Sequence, residues 1–555
     1  MGLPKTEVED MATRDLPPSQ EIFATPTNEH FLKQYSYHDL NYHEHEIRLV
    51  HVFKKPGSNV MHGSLLPPQS LTDISGNYHT ISYCAGSAKN TRPIILQGFE
   101  FNVFANLDRA LRETLTYWST TNHSKNDCIL WIDQICIDQH NDFERSHQVA
   151  FMRDIYLNSQ GTFICLSTDE KETPWPNALS WFPQRDVHQF TFQSHNVTMV
   201  DYIKGWNAFY DLIECPWWSR AWIRQEFACS QTAIFLYHQE ALDYTELSWL
   251  SSLCHSDLVH SYHHLHKSFS DTSSLRSETN EELRALTSRR HRTRESSDAA
   301  RLLLLQKTML GEGPIQCNLD FKVLALDARH SKASDPRDKI FSQLGLAHPS
   351  YNIIPDYTRS NTLSRVLIDT AVKIILFERD LTILSYALRF IKPPACQLPS
   401  WVPDWTSSTV SNFLPFGHLE ELPCFGASAQ IGADSINPVR FSDSTEGGQN
   451  TVLLVQALRL GIFEKCRLNF GGSKVSAILD DGSSIQCRAE AQLGDEIWLL
   501  MGTLCPYVLR STEKGYKLIS EVVATDHYET TGLMFEEKQR KMRRGFEILE
   551  EISII

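Results

Sequence analysis

The amino-acid sequence predicts an α/β fold, with a doubly wound parallel sheet in the N-terminal half, then a helical region, then a small β-rich C-terminal module. Three observations predict it. Between residues 78 and 240, short β-branched and aromatic runs alternate with longer helical patterns. One of those runs is apolar at nearly every position, as in a strand covered on both faces. After residue 450, Gly-Asp and Gly-Gly turns separate further β-type runs.

Each element has its own local reason. Residues 1–35, with Pro17, Pro18 and Pro26 among acidic and polar side chains, read as a flexible leader, and order is expected from near Tyr37. The run YHTISY at 78–83 is the first strand of the alternation and ends before Gly86. Phe104, Leu107, Leu111 and Leu115 recur at helical spacing, with Asn102 as an N-cap. The run CILWID at 128–133 is the apolar strand, acidic only at its end. A helix follows with Val149, Met152, Ile155 and Tyr156 as its buried stripe, and TFICLS at 162–167 supplies the next strand. Such alternation favours right-handed parallel crossovers, and ligand sites in these sheets gather at the carboxyl ends of the strands.

Beyond an irregular stretch at 170–205, helices are expected at 201–213 and 217–227, then a strand TAIFLY at 232–237. Together these define a first domain over 36–250 with its core at about 78–240. A variable linker over 251–300, partly helical near 281–286, precedes a helical region over 301–410. The β-rich module occupies 411–555, with strands at 496–501 and 516–523. There is no convincing internal repeat.

At 555 residues the chain is long enough for two or three cores. Its 41% hydrophobic and 21% charged residues are those of a globular protein. A net charge of −15 argues against a general nucleic-acid binder. The basic run of Arg289, Arg290, Arg292 and Arg294 reads as a solvated linker face. Thirteen scattered cysteines without CxxC spacing point to a reducing, cytoplasmic setting, and no apolar run reaches the roughly 18 residues of a spanning helix. The start Met1-Gly2-Leu3-Pro4-Lys5-Thr6 fits the loose myristoylation pattern. Cys254, His255, His260, His263, His264 and His266 match no zinc-ligand spacing, so no metal site is assigned. GxSxG, GxxxxGK[ST] and HExxH are all absent, which removes the serine-hydrolase, P-loop and zincin readings.

The segment LWIDQICIDQHNDFERSHQVAFMRDIY at 130–156 closely resembles the core signature of the fungal heterokaryon incompatibility (HET) domain. PWWSRAWIRQE at 216–226 resembles that family's second signature, and residues 78–86 resemble its first strand. Tyr37, Leu40 and the run Ile47-Arg48-Leu49 fit its usual opening. DPRDKIFSQLGLA at 335–347, IPDYT at 354–358 and LPSWVPDW at 398–405 resemble segments that follow such a domain. Gly494-Asp495, the 502–510 stretch and Gly532-Leu533-Met534 look like its closing module. One position departs from the pattern. Ala85 precedes Gly86 where the family usually carries a tryptophan, which removes a large aromatic from the edge of the cleft.

The resemblance implies a role in non-self recognition between fungal cells and in the programmed cell death that follows. It also implies a distant likeness to TIR domains, hence a TIR- or flavodoxin-like sheet. In many TIR domains a glutamate on a helix supports cleavage of NAD, and Ser219, Trp222 and Glu226 resemble that stretch. NAD is on this reading a substrate, with Glu226 catalytic and Tyr83, Asp133 and Trp222 near the nucleotide. No resident cofactor is implied. Trp222 and Glu226 lie four apart and share a helix face, and an aromatic beside a carboxylate suits an oxocarbenium-like centre. In the other reading Trp218 and Trp222 anchor the core, Glu226 pairs with Arg220, Arg224 or Arg145, and the domain is an adaptor that self-associates or binds a receptor. For Asp138, Glu144 and Arg145 a structural role, such as helix capping, competes with the site. A structural role is expected for 335–338.

Overall fold

The computed structural model describes residues 21–121, 127–168, 199–238, 240–245, 247, 277–293, 300, 303–304, 307, 319–390, 398–409, 439–443, 451–468, 474–480, 482, 484–488, 490–503, 505–522 and 549–555. The myristoylation pattern, Arg294, the histidine-rich stretch at 254–266 and Gly532-Leu533-Met534 lie outside them. The chain divides into two compact units. One holds Met1–Cys317, Ser331–Leu346 and Pro355–Tyr357; the other holds Asn318–His330, Ala347–Ile354 and Thr358–Ile555.

The first unit opens earlier than the sequence suggested. Thr25 caps a helix, α1 (Pro26–Gln34), whose Phe31 is fully buried, so the expected leader is folded from Glu21 onward. A small ribbon pairs β1 (Glu46–Ile47) with β4 (Gln69–Ser70). The strands β2 (Val50–Lys54), β3 (Met61–Leu65), β5 (His79–Tyr83), β6 (Thr91–Leu96), β7 (Phe99–Phe104), β8 (Cys128–Trp131), β9 (Gly161–Cys165), β10 (Ala233–Tyr237) and β11 (Glu240–Asp243) form one sheet. Its order is β11-β10-β9-β5-β8-β2-β3-β6-β7. β10, β9, β5 and β8 run parallel. The sheet as a whole is mixed, which corrects the expectation of a purely parallel one: β2 is antiparallel to both β8 and β3, and the hairpins β6-β7 and β10-β11 close its ends. Hairpin strands need only a short turn to pair, so they extend a parallel core without further crossover helices.

The strands expected at 78–83, 128–133, 162–167 and 232–237 are the four parallel ones, and β5 and β9 are buried at every position. The helices joining them are α2 (Ala105–Thr120), α3 (Asp133–Cys136), α4 (Asp142–Ala150), α5 (Met152–Leu157), α6 (Met199–Ile213) and α7 (Ile223–Ala228). α2 packs on β5 and β9, while α7 packs on the same strands and on α5. Asn102 is not a cap: it lies in β7, and Phe104 precedes the helix. The helix expected over 217–227 is broken. A 3-10 turn, Pro216–Ser219, and α7 flank Arg220 and Ala221, because this backbone pairs with Lys332, Ala221 N donating to Lys332 O at 3.0 Å. Trp206, Phe209, Trp217, Phe227 and Phe235 fill the core beside β9 and β10. A further helix, α8 (Ser277–Arg292), docks on α6. Its Arg289, read from sequence as solvated, instead pairs with Asp211 at 2.7 Å and Glu214 at 2.6 Å.

The second unit is helical, then β-rich. α9 (Phe321–Asp327), α10 (Leu363–Glu378) and α11 (Ile383–Arg389) precede β12 (Val439–Asp443), β13 (Thr451–Leu468), β14 (Lys474–Leu479), β15 (Ser484–Arg488), β16 (Glu496–Leu500), β17 (Tyr507–Thr512), β18 (Gly515–Glu521) and β19 (Glu550–Ile554). β13 pairs with β16 and with β19, and β18 meets β19 at Tyr516 and Ile554, so the strands β13, β16, β17, β18 and β19 form a closed ring. Closure leaves no free edge on that ring. Among the described residues, no helix is long and apolar enough to cross a membrane.

Candidate functional site

Three carboxyl-end features of the parallel strands converge in the first unit. β5 ends in Ser82 and Tyr83, whose side chains leave on opposite faces by the two-residue period of a strand. β8 delivers Asp133 as the first residue of α3. α7 delivers Glu226 from the far side of β5.

Glu226 is 3% exposed and its two oxygens are occupied. Oε2 accepts from the Ser82 hydroxyl and from Arg220 Nη1 at 3.1 Å, and Oε1 accepts from Arg220 Nη2 at 3.3 Å. Trp217 Nε1 donates to Ser82 Oγ at 2.7 Å, so a buried tryptophan orients the hydroxyl that orients the carboxylate. Asp133 is half-buried. Its Oδ1 accepts from Tyr83 Oη at 3.2 Å and from Gln134 N at 2.7 Å, while its own carbonyl accepts from Gln139 Nε2 at 2.9 Å.

Electrostatics binds these groups into one cluster. Burial pushes the Glu226 carboxyl up from its ordinary range; Arg220 and Ser82 oppose that, and the negative charge of Asp133 adds to it. Burial likewise raises Asp133, against Arg220, the Gln134 N–H and Tyr83. The Arg220 guanidinium is held above its ordinary value, despite its burial, by Glu226, Cys84, Asp133 and Tyr156. Tyr83 and Tyr156 are raised by burial and by the same carboxylates.

The structure therefore brings Tyr83, Asp133 and Glu226 together, with Arg220 as the group they share. Trp222 is placed elsewhere. Its indole hydrogen-bonds to Asp338, whose carboxyl burial pushes up to about 7 and whose Oδ1 accepts from Tyr357 Oη at 2.5 Å. Of the three arginines named as partners for Glu226, Arg220 is the one that meets it. Arg145 pairs with Asp142 at 3.0 Å and lies over the Tyr357 ring at 4.2 Å. Glu144 does not cap α4; Asn141 does, accepting from Phe143 N and Glu144 N. Glu144 instead makes a fully buried fork with Arg48, at 2.5 and 3.0 Å. Asp335 and Arg337 pair with each other at 2.8 Å. Ser82 and Tyr156 went unassigned in sequence, because neither the alternation of a strand nor a helical stripe distinguishes a site-facing residue from a core one.

Gly86 ends the strand–loop junction above the cluster with φ +80°, and an added Cβ would lie 2.8 Å from Asn106 Nδ2. That amide donates to Cys84 O at 2.9 Å, so a glycine is required both by the left-handed backbone and by the space. Among the described residues, no group of three or more His, Cys, Asp or Glu side chains is disposed to hold a metal ion.

The residues of this cluster, from Ser82 to Glu226, fall within one matched segment. Residues 78–226 match the family model described as Heterokaryon incompatibility protein (HET), from the first parallel strand to Glu226 itself, so it is this segment that carries the HET-domain likeness. It is 25% identical over 332 residues to "Heterokaryon incompatibility protein 6, OR allele" of Neurospora crassa, an alignment covering 51% of this chain and 46% of that protein. The match thus spans about half the relative's length. No solved structure matches the chain.

Proposed function

We propose that this chain acts in fungal non-self recognition and the programmed cell death that follows, in the cytoplasm, and that its charged site cleaves NAD. The observation that carries the chemistry is the meeting of two carboxylates and one arginine at the carboxyl ends of parallel strands ordered β8-β5-β9-β10. Numbered within that group the order is 2-1-3-4, as in flavodoxin-like sheets, and it supports the TIR-like reading; ligands in such sheets bind where the order reverses. In the reaction, the bond between ribose C1′ and the nicotinamide nitrogen breaks with its electron pair going to the ring, which leaves neutral. Water adds to C1′ and gives up a proton. Glu226 supplies negative charge to the oxocarbenium-like centre, and Tyr83 and Asp133 lie beside the nucleotide; Trp222, bonded to Asp338, takes no part.

A second reading is favoured by one feature. Glu226 is buried with both oxygens engaged, and a carboxylate locked to Arg220 suits a packing role in an adaptor that self-associates or binds a receptor. Nicotinamide release by the purified, concentrated protein in a crowding agent separates the two. Wild type is expected to release nicotinamide, while folded Glu226→Ala and Glu226→Gln do not. Folded, assembled wild type that consumes no NAD would overturn the NAD-cleaving reading and favour the adaptor instead.

A further inference from the structure

Away from the charged site, the segment 41–47 lies against α4 through a cluster of rings. His147 on α4 sits between Tyr42 (centroids 4.5 Å apart) and Phe151 (4.8 Å), and its ring lies nearly parallel to His45 at 6.1 Å. His45 also meets Phe151 at 5.2 Å, and it holds a left-handed φ of +50° that turns the chain into β1. The imidazole of His147 donates to the backbone carbonyl of Tyr42. Its other nitrogen, Nδ1, is buried and has no hydrogen-bond partner. The neutral Nε2–H tautomer is therefore the form that fits: it gives one bond and leaves an acceptor in an apolar slot.

A second proton would have to enter at Nδ1, where nothing accepts it. The charged groups around the cluster are already committed. On α4, Glu144 is forked to Arg48 and Asp142 is paired with Arg145. On the facing segment, Glu46 Oε2 accepts from Asn41 N at 2.7 Å, and the remaining neighbours of His147 are the imidazoles of His43 and His45, which disfavour a positive charge on it. Asp39 and Asp138 lie within reach of Tyr42, but neither bonds to His147.

We propose that His147 and His45 form an acid-sensitive latch: protonation of His147 expels its ring from the Tyr42–Phe151 slot and releases the segment 41–47 from α4. The released segment carries Glu46, whose carbonyl accepts from Gln148 Nε2 at 3.0 Å, and His45, whose carbonyl accepts from Leu71 N at 3.2 Å. Burial and the two neighbouring histidines lower the affinity of His147 for a proton below its ordinary value of 6.5. The sign follows: the latch is fully closed above 6.5 and is lost as pH falls below that value toward the lowered one.

Hydrogen–deuterium exchange of the full chain at pH 7.5 and 5.5, corrected for intrinsic rates, tests it. In wild type the peptides covering 41–47 are expected to lose protection severalfold at the lower pH. His147→Phe, which fills the slot without titrating, is expected to hold constant protection. Equal protection of wild type at both pH values would overturn the proposal, as would an unchanged acid response in His147→Phe. If His147→Phe does not fold, His147→Gln serves, since its amide can donate to Tyr42 O and does not titrate.

Discussion

At the scale of single residues, the first unit invests heavily in buried charge. Arg48 and Glu144 are 1% and 3% exposed, and each uses its remaining groups on backbone: Arg48 donates to Cys136 O at 3.1 Å and to His38 O, and Glu144 Oε1 accepts from Asp138 N at 2.7 Å. Such a pair joins the opening segment to the turn after β8. Removing one partner strands the other, so Arg48→Ala is expected to destabilise the protein by roughly 3–5 kcal/mol, whereas Arg48→Met with Glu144→Leu costs far less. Urea midpoints for the single and double variants check this; equal losses in both would show that the charges are not the cause. The same economy explains Glu226. Its partner residue lies six positions away in sequence, but that pairing depends on the helix being broken at Arg220, and helical spacing alone would have aimed the two side chains apart.

At the scale of elements, β7 is the exposed end of a nine-stranded sheet and needs a cover. A side-chain amide provides it. Asn28 of α1 accepts from Asn102 N at 2.7 Å and donates to Asn102 O at 3.0 Å, taking the place of a neighbouring strand, and it also donates to Ile22 O at 2.9 Å. Asn28→Leu leaves Asn102 N without its acceptor, while Asn102 O keeps Gln134 Nε2 and Ile22 O keeps Thr25 Oγ1, and is expected to cost roughly 1–3 kcal/mol, with faster aggregation on partial denaturation. Denaturation midpoints and light scattering give the answer, and a variant as stable and soluble as wild type would remove Asn28 from this role. The elements most legible in the sequence were those with strong local patterns. β5, β8, β9 and β10 are β-branched or aromatic runs, and α2 has its apolar residues at helical spacing. β2, β3, β6 and β7 carry charged and polar residues, among them Lys54, His62, Arg92 and Glu100, because one face of each meets solvent. Their membership of the sheet rests on pairing with distant strands. The break between the Pro216–Ser219 turn and α7 was equally hidden, since it is made by Lys332.

At the scale of the whole molecule, the second unit depends on its last strand. β19 runs along β13 from Leu453 to Ala457 and meets β18 once, with Ile552 and Ile554 buried. Burial of those two isoleucines alone contributes about 3–6 kcal/mol. A chain lacking residues 549–555 is therefore expected to lose the cooperative melting of the second unit while β5 and β9 keep their exchange protection. Calorimetry together with hydrogen exchange measures both, and an unchanged thermogram would mean that the ring closes without β19.

The sequence by itself determined the α/β character of the first unit, the helical-then-β order of the second, and the HET signatures, because each is a local pattern of side-chain type and spacing. Only the tertiary structure decided that Arg220, not Trp222, shares the site with Tyr83, Asp133 and Glu226. That choice depends on a backbone pairing more than a hundred residues away in the chain, and on which face of each strand meets which helix. No local period carries that information.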